Sequence, residues 1–184
     1  MELNKKTFVG TVGYHLLGNH SIGPTLLPDL QKMDTPSHIT IDELNWGPLA
    51  VIQQFQAEEI PYQKVILLCA IERPERQIGE ITIYHWKGGL PDDEQIQACM
   101  GDAATGVISV ENLLVLGEHF KIWEDEVILV DVEPGPEVAG LQFTPNMQKQ
   151  IPEILETVFR LATEELSETE KVSYLFGDKI FANG

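Results

Sequence analysis

Two segments of the sequence combine residue types that could carry out chemistry. Residues 13–23 (GYHLLGNHSIG) form a glycine-rich stretch that contains His20, and Cys69 lies near the end of the apolar run 65–71 (VILLCAI). A histidine beside a cysteine can activate the thiol as a nucleophile, and both side chains are good ligands for nickel or zinc. A cysteine within an apolar strand is, however, most often inert packing. Both interpretations stay open at this point.

Other familiar catalytic motifs are missing from the sequence. The spacing of Gly13 and Gly18 matches a phosphate-binding loop, but Asn19 and His20 follow where that motif requires Lys and then Ser or Thr. The sequence also lacks a GxGxxG dinucleotide fingerprint, a GxSxG serine motif and an HExxH zinc motif. We therefore do not expect nucleotide binding, and the residues alone do not specify a reaction.

The elements that would position these residues alternate between strands and helices along the chain. Continuous apolar runs such as 65–71 and 126–132 are typical of strands that are covered on both faces. Residues 78–86 alternate between apolar and polar types, which predicts an antiparallel strand nearer an edge. The five predicted strands are residues 7–12, 38–44, 65–71, 78–86 and 126–132.

Four helices are predicted between and after these strands, and prolines influence where they begin. We expect Thr25 to be the N-cap of the first helix, because Pro28 then falls in the first turn, where its missing N–H costs nothing. In the last helix a similar argument predicts a short turn at Thr144 and a main helix from Pro152 to Leu166. The other two are expected from Pro48 to about residue 59 and from Ser109 to about residue 117.

This alternation predicts an α/β fold with three layers, α/β/α, around a central, twisted and mostly parallel sheet of about five strands. We expect one domain over residues 1–168, followed by a C-terminal tail over residues 169–184. In open α/β sheets, ligands bind beyond the carboxyl ends of the strands. His20 and Cys69 are therefore predicted to converge on one crevice.

Composition limits the class of partner. The chain has 12 basic and 29 acidic residues, for a formal net charge of −17, which disfavours binding to nucleic acid or to anionic membranes. The sequence shows neither an apolar run long enough to span a membrane nor a signal peptide, so we expect a cytoplasmic protein with its two cysteines reduced.

Several short motifs, taken in order, resemble the nickel-iron hydrogenase maturation endopeptidases. That family has a first strand followed by a pattern like G-N-x-L-x-x-D-(D/E)-G-x-G, which residues 13–23 match in length, in the first and last glycine and in the leucine. Its later V-D-A, G-x-I-Y, Ile-Glu-Pro and L-S-P patterns correspond to residues 68–70, 79–84, 132–134 and 142–145. The resemblance covers about residues 7–165 and implies the fold of that family.

The resemblance also implies a metal site, whose ligands are replaced in this chain. The family holds a metal, thought to be the nickel of the substrate hydrogenase, with an acidic residue in the glycine-rich loop, an aspartate after the central strand and a histidine before a leucine-rich helix. His20 takes the place of the acidic residue and Cys69 that of the aspartate. The histidine has no clear counterpart, and Asp102 is a nearby polar candidate.

The resemblance leads to two functional hypotheses. In the first, His20, Cys69 and Asp102 bind nickel or zinc, and the chain is an endopeptidase that trims the C-terminus of a hydrogenase large-subunit precursor. In the second, the chain is a catalytically inactive homologue that acts as a binding or chaperone-like module for a protein partner. The loss of two carboxylates removes charge that would hold a dication, which favours the second hypothesis.

Overall fold

The computed structural model describes residues 5–44 and 47–174. Within these ranges six strands form a single sheet, and five α-helices and two short 3-10 turns join them. The strands are β1 (Thr7–Thr11), β2 (Ile39–Glu43), β3 (Lys64–Ala70), β4 (Ile81–Trp86), β5 (Glu126–Val132) and β6 (Val172–Tyr174). The helices are α1 (Ile22–Gln31), α2 (Pro48–Gln56), α3 (Asp93–Ala104), α4 (Val110–His119) and α5 (Pro145–Thr163), and the 3-10 turns are Gly18–Ser21 and Glu168–Glu170.

The strands are ordered β2-β1-β3-β5-β4-β6 across the sheet. Strands β2, β1, β3 and β5 are parallel to one another, β4 runs antiparallel to β5, and β6 pairs parallel to β4 at one edge. The predicted α/β class, the mostly parallel sheet and the antiparallel direction of β4 are confirmed.

The alternation of side chains along the central strands supplies two hydrophobic cores. On β3, Ile66 and Leu68 pack with residues of α1 and α5, whereas Leu67 and Cys69 pack with residues of α2, α3 and α4. Neighbouring side chains on a strand point to opposite faces, so a strand that is covered on both sides is apolar throughout. This is why 65–71 reads as a continuous apolar run and why Cys69 lies on the α4 face.

Both predictions about proline are wrong. Helix α1 begins at Ile22 with Ser21 as N-cap, rather than after Thr25, and contains Pro28. Helix α5 is continuous from its N-cap Thr144 and contains Pro152. A proline inside a helix removes one hydrogen bond and crowds the preceding turn. In α5 the burial of Ile154, Val158 and Leu161 against the sheet offsets that cost.

Two elements were not predicted. Helix α3 buries only Cys99 and Ala103, so its sequence carries a weak apolar pattern. Strand β6 falls within the predicted tail, yet it pairs with β4, and the preceding Lys171 forms an ion pair with Glu126. Residues 172–174 are therefore part of the sheet, while residues 175–184 lie outside the described residues. In the described part of the chain, no helix combines the length and the apolar character that a membrane span requires.

Candidate functional site

A cavity of about 230 Å³ lies where β1 and β3 end. Its walls include Tyr14 from the loop after β1, His20 from the 3-10 turn, Cys69 from β3, Glu72 from the loop after β3 and Glu111 from α4. This is the position where open parallel sheets bind ligands, because several loops meet at the carboxyl ends of the strands. The structure thus brings His20 and Cys69 to one crevice.

His20 is half-buried and its ring is held by a backbone carbonyl. The Nε2 atom lies 2.8 Å from the carbonyl oxygen of Gly135. Since a carbonyl oxygen can only accept, Nε2 carries the proton that is donated in this hydrogen bond. In the neutral imidazole the lone pair is then on Nδ1.

Cys69 is 1% exposed, and its Sγ lies 3.8 Å from the carbonyl oxygen of Val130. Burial raises the pKa of this thiol well above its ordinary value, and the negative charge of Asp131 raises it further. The thiolate is the form that attacks carbonyl groups and binds metals. At neutral pH Cys69 is therefore a thiol, suited to packing rather than to either kind of chemistry.

Asp102, the third predicted ligand, lies elsewhere. It is exposed near the end of α3, and its Oδ2 accepts a hydrogen bond of 3.4 Å from Nδ2 of Asn112. Asp102 does not line the cavity that His20 and Cys69 share. The structure thus brings two of the three predicted residues together and leaves the third apart.

These residues, as arranged, do not fit a resident dication. Metal binding requires several deprotonated ligand atoms at one point, and here one candidate is a protonated thiol and another lies outside the cavity. In residues 5–44 and 47–174, the acidic and histidine side chains that do converge are His85, Glu126 and Glu168, at the amino end of β5. Lys87 and Lys171 already pair with these glutamates. Metal binding by His20, Cys69 and Asp102 stays a prediction.

Glu111 is a cavity residue that the sequence analysis missed. It lies in the first turn of α4, after the N-cap Ser109, and is half-buried. Burial raises its pKa, and this outweighs the opposing effects of the Arg73 charge and of a hydrogen bond with Tyr174. The cavity thus contains a carboxyl group that holds its proton more tightly than an exposed glutamate. The sequence does contain a signal for Glu111: it is an acidic residue in the first turn of a helix with a good N-cap, where a negative charge is stabilising.

A buried cluster of four charges lies beside the cavity. Asp131 and Glu133, at the end of β5, face Arg73 and Arg76 from the loop after β3. Nε of Arg73 donates to Oδ2 of Asp131 at 2.6 Å, and Nη2 of Arg76 lies 3.1 Å from Oδ1 of Asp131 and 3.3 Å from Oε2 of Glu133. Two positive and two negative groups balance one another, which is what allows them to be buried.

This cluster was also missed, although the sequence contains a signal for it. Asp131 is the penultimate residue of the apolar strand 126–132, Glu133 follows the strand directly, and two arginines follow the neighbouring strand 65–71. Charged side chains are rarely buried without partners, and the carboxyl ends of adjacent parallel strands meet at the same edge. Acids after one strand and arginines after the next therefore indicate an ion-pair cluster.

Exposed apolar side chains lie on the two loops that contribute Tyr14, Leu17 and Glu137 to the cavity lining. Leu16 is 58% exposed, Val138 is 66% exposed and Leu141 is 74% exposed, and Tyr14 is partly exposed beside them. Two backbone hydrogen bonds, from Gly18 N to Gly140 O and from Gly140 N to Leu16 O, join the two loops that carry these residues. We refer to Tyr14, Leu16, Val138 and Leu141 as the apolar rim.

Comparison with known proteins supports the fold. No protein-family model and no curated protein matches the sequence. Among solved structures, hydrogenase maturating endopeptidase HybD from Escherichia coli has a TM-score of 0.62 and 19% identity over 83% of this chain and 89% of its own. The hydrogenase maturation protease HycI from Thermococcus kodakarensis has a TM-score of 0.61 and 14% identity over 88% of this chain and 96% of its own.

A hydrogenase 2 maturation peptidase from a Thaumarchaeota archaeon is similar as well, with a TM-score of 0.56 and 20% identity over 84% of this chain and 95% of its own. At such identities the likeness concerns the fold and not the residues of the site. The resemblance drawn from the sequence is confirmed at that level: this chain has the fold of the hydrogenase maturation proteases.

Proposed function

We propose that this chain recognises a segment of a protein precursor in its cavity, and that the precursor is a nickel-iron hydrogenase large subunit. One observation carries the proposal: the two loops that supply Tyr14, Leu17 and Glu137 to the cavity also carry the exposed side chains of the apolar rim. The fold agrees with it, because similar structures are those of hydrogenase maturation proteases.

The apolar rim is suited to binding a polypeptide segment. Exposing large apolar side chains to water by more than half of their surface is unfavourable in free energy. A group of such side chains beside a cavity is typical of an interaction site. An extended segment can place one side chain in the cavity and the next ones on Leu16, Val138 and Leu141. The burial of that apolar surface would supply the driving force for binding.

Recognition without cleavage is the function that the side chains support best. The Cys69 thiol is buried with a raised pKa, and Asp102 does not join His20 and Cys69 in the cavity, so these three residues supply neither an activated thiolate nor a preformed metal site. Nickel would then reach the cavity only as part of the precursor.

Cleavage is the second candidate function. The fold of the maturation proteases and the position of His20 in the cavity wall favour it. A half-buried imidazole with a lone pair on Nδ1 can act as a general base for water. In that case the scissile bond would lie against His20.

The test mixes the purified chain with a nickel-loaded hydrogenase large-subunit precursor and, separately, with the same subunit lacking its C-terminal extension. Native mass spectrometry reports the complex, and intact mass reports any shortening. We expect a complex with the precursor only and an unchanged precursor mass. Loss of the extension would establish the endopeptidase instead. The absence of a complex with either form, with the precursor intact, would refute recognition.

A further inference from the structure

Two walls of the cavity come from separate parts of the chain. One is the loop after β3, in which Glu72 and Pro74 contribute to the lining. The other follows β5, where Glu137 lines the cavity and the carbonyl of Gly135, two residues earlier, holds the ring of the lining residue His20. Both walls must keep their places if His20 is to face an occupant in a fixed orientation.

The side chain of Glu133 contacts both walls. Its Oε2 accepts a hydrogen bond of 2.7 Å from the backbone N–H of Arg73, which lies between Glu72 and Pro74. Its Oε1 accepts a hydrogen bond of 3.0 Å from the backbone N–H of Gly135. Glu133 is 2% exposed, so water does not compete for these two oxygens.

We propose that Glu133 is a positioning residue: its two carboxylate oxygens fix the loop after β3 and the turn at Gly135 relative to each other, and thereby fix the His20 imidazole in the cavity wall. Only the consequence for binding rests on the proposed function. Glutamate suits this role because an ionised carboxylate accepts on both oxygens, whereas a glutamine offers a single accepting oxygen.

The competing explanation is charge balance alone. Glu133 also pairs with Arg76, and removing its charge would leave an arginine less well neutralised. Asp131 provides a matched comparison, because it is equally buried and belongs to the same cluster. The hydrogen bonds to its carboxylate come from the guanidinium groups of Arg73 and Arg76, which belong to the loop after β3, so Asp131 contacts one wall through side chains and does not bridge to the turn at Gly135.

The experiment compares Glu133→Gln with Asp131→Asn by the ring ¹⁵N shifts of His20, recorded at pH 8. In the unaltered protein and in Asp131→Asn we expect the Nε2–H tautomer. In Glu133→Gln we expect the two ring nitrogens to move towards a tautomer average, and affinity for the large-subunit precursor to fall about tenfold. Equal changes in both variants, or an unchanged His20 in Glu133→Gln, would overturn the proposal.

Two further measurements cover a Glu133→Gln variant that fails to fold. The double variant Glu133→Gln/Arg76→Gln removes one charge of each sign, and we expect the change in the His20 tautomer to persist in it. A return to the Nε2–H tautomer would mean that charge balance was the whole effect.

In the unaltered protein, the amides of Arg73 and Gly135 should exchange with solvent far more slowly than those of Glu75 and Glu137. Fast exchange at Arg73 or Gly135 would contradict the proposed bonds. The His20 signature needs no partner, so it can fail or hold independently of the precursor-binding experiment.

Discussion

Asn19 and Thr144 are joined through both ends of the asparagine amide. The backbone N–H of Thr144 donates to Oδ1 of Asn19 at 3.0 Å, and Nδ2 of Asn19 donates to Oγ1 of Thr144 at 3.1 Å. Nδ2 also donates to the carbonyl oxygen of Pro134 at 2.9 Å. Because Thr144 is the N-cap of α5, the glycine-rich loop, the end of β5 and the last helix are tied together at one buried amide.

Asn19→Asp should destabilise the fold although it changes few atoms. A carboxylate keeps the acceptor for Thr144 but loses both donor bonds and places a charge near the carbonyl of Pro134. We expect the free energy of unfolding, measured in urea, to fall by about 1–3 kcal/mol. Gln148→Glu makes the same chemical change at an exposed amide and should alter stability by less than about 0.5 kcal/mol. Similar losses in both variants would contradict the role given to Asn19.

Cys69→Asp would install the residue type that the sequence resemblance implies for this position, and we expect it to be poorly tolerated. Residue 69 is 1% exposed and lies opposite Asp131 in the register of β3 and β5. A further buried carboxylate there would have to share Arg73 and Arg76 with Asp131 and Glu133, leaving one negative charge in excess, and should cost about 3 kcal/mol or more. Cys69→Ala, which only removes sulfur, is the control. An aspartate variant as stable as the alanine variant would show that the site accommodates an acid.

The isolated chain should not bind nickel or zinc stoichiometrically at the cavity. Cys69 is protonated, and Asp102 does not line the cavity that Cys69 shares with His20. We expect calorimetry with either metal to show weak binding that His20→Ala and Cys69→Ala leave unchanged. Tight binding at one ion per chain that both variants abolish would contradict this.

Glu111→Gln should make the protein more stable at neutral pH. Burial raises the pKa of Glu111 above its ordinary value of 4.5, so the folded state binds this proton more tightly than the unfolded chain does. The resulting stabilisation is complete below the ordinary value and is lost as the pH rises through the folded-state pKa. Glutamine has no proton to lose. The stability gain of Glu111→Gln, measured by urea unfolding, should therefore be present at pH 7 and shrink towards pH 4.

Glu72→Gln is the control for that titration, because it removes one negative charge from an exposed position at the same cavity. A gain for Glu111→Gln that is the same at pH 4 and pH 7 would show that the buried carboxyl is not its source.

Leu141→Asp should weaken binding to the large-subunit precursor without unfolding the protein. Leu141 is 74% exposed on the apolar rim, so a charge there costs little stability but opposes burial by a partner. We expect the dissociation constant to rise at least about tenfold. Ile60→Asp makes the same kind of change at a residue that is 61% exposed away from the cavity. The prediction is wrong if both variants reduce affinity equally or neither does.

Much of the fold could be predicted because the sequence patterns that indicate its strands and helices are local and agree with one another. Residues 126–132 form β5 with the predicted bounds, and Ser109 caps the helix that it was expected to begin. Pro28 and Pro152 led to wrong predictions of where α1 and α5 begin. The destabilisation that a proline causes is local and can be seen in the sequence, whereas the packing that offsets it depends on the whole sheet.

The site was predictable only in part. Strand order brings His20 and Cys69 to one crevice, and the sequence suffices to foresee that. The partners of the charged side chains depend on which loops adjoin in space. Glu133 was therefore read as part of a turn motif, and its bonds to Arg73 and Gly135 appear only once β3 and β5 are placed side by side.

The two edges of the sheet have a practical consequence for these experiments. Strand β2 ends in Asp42 and Glu43, and within the described residues β6 comprises Val172–Tyr174. An edge that is short or carries charge is a poor template for a strand of another molecule. As far as the described residues extend, neither edge therefore favours self-association by strand addition. This matters for the concentrated samples that spectroscopy requires.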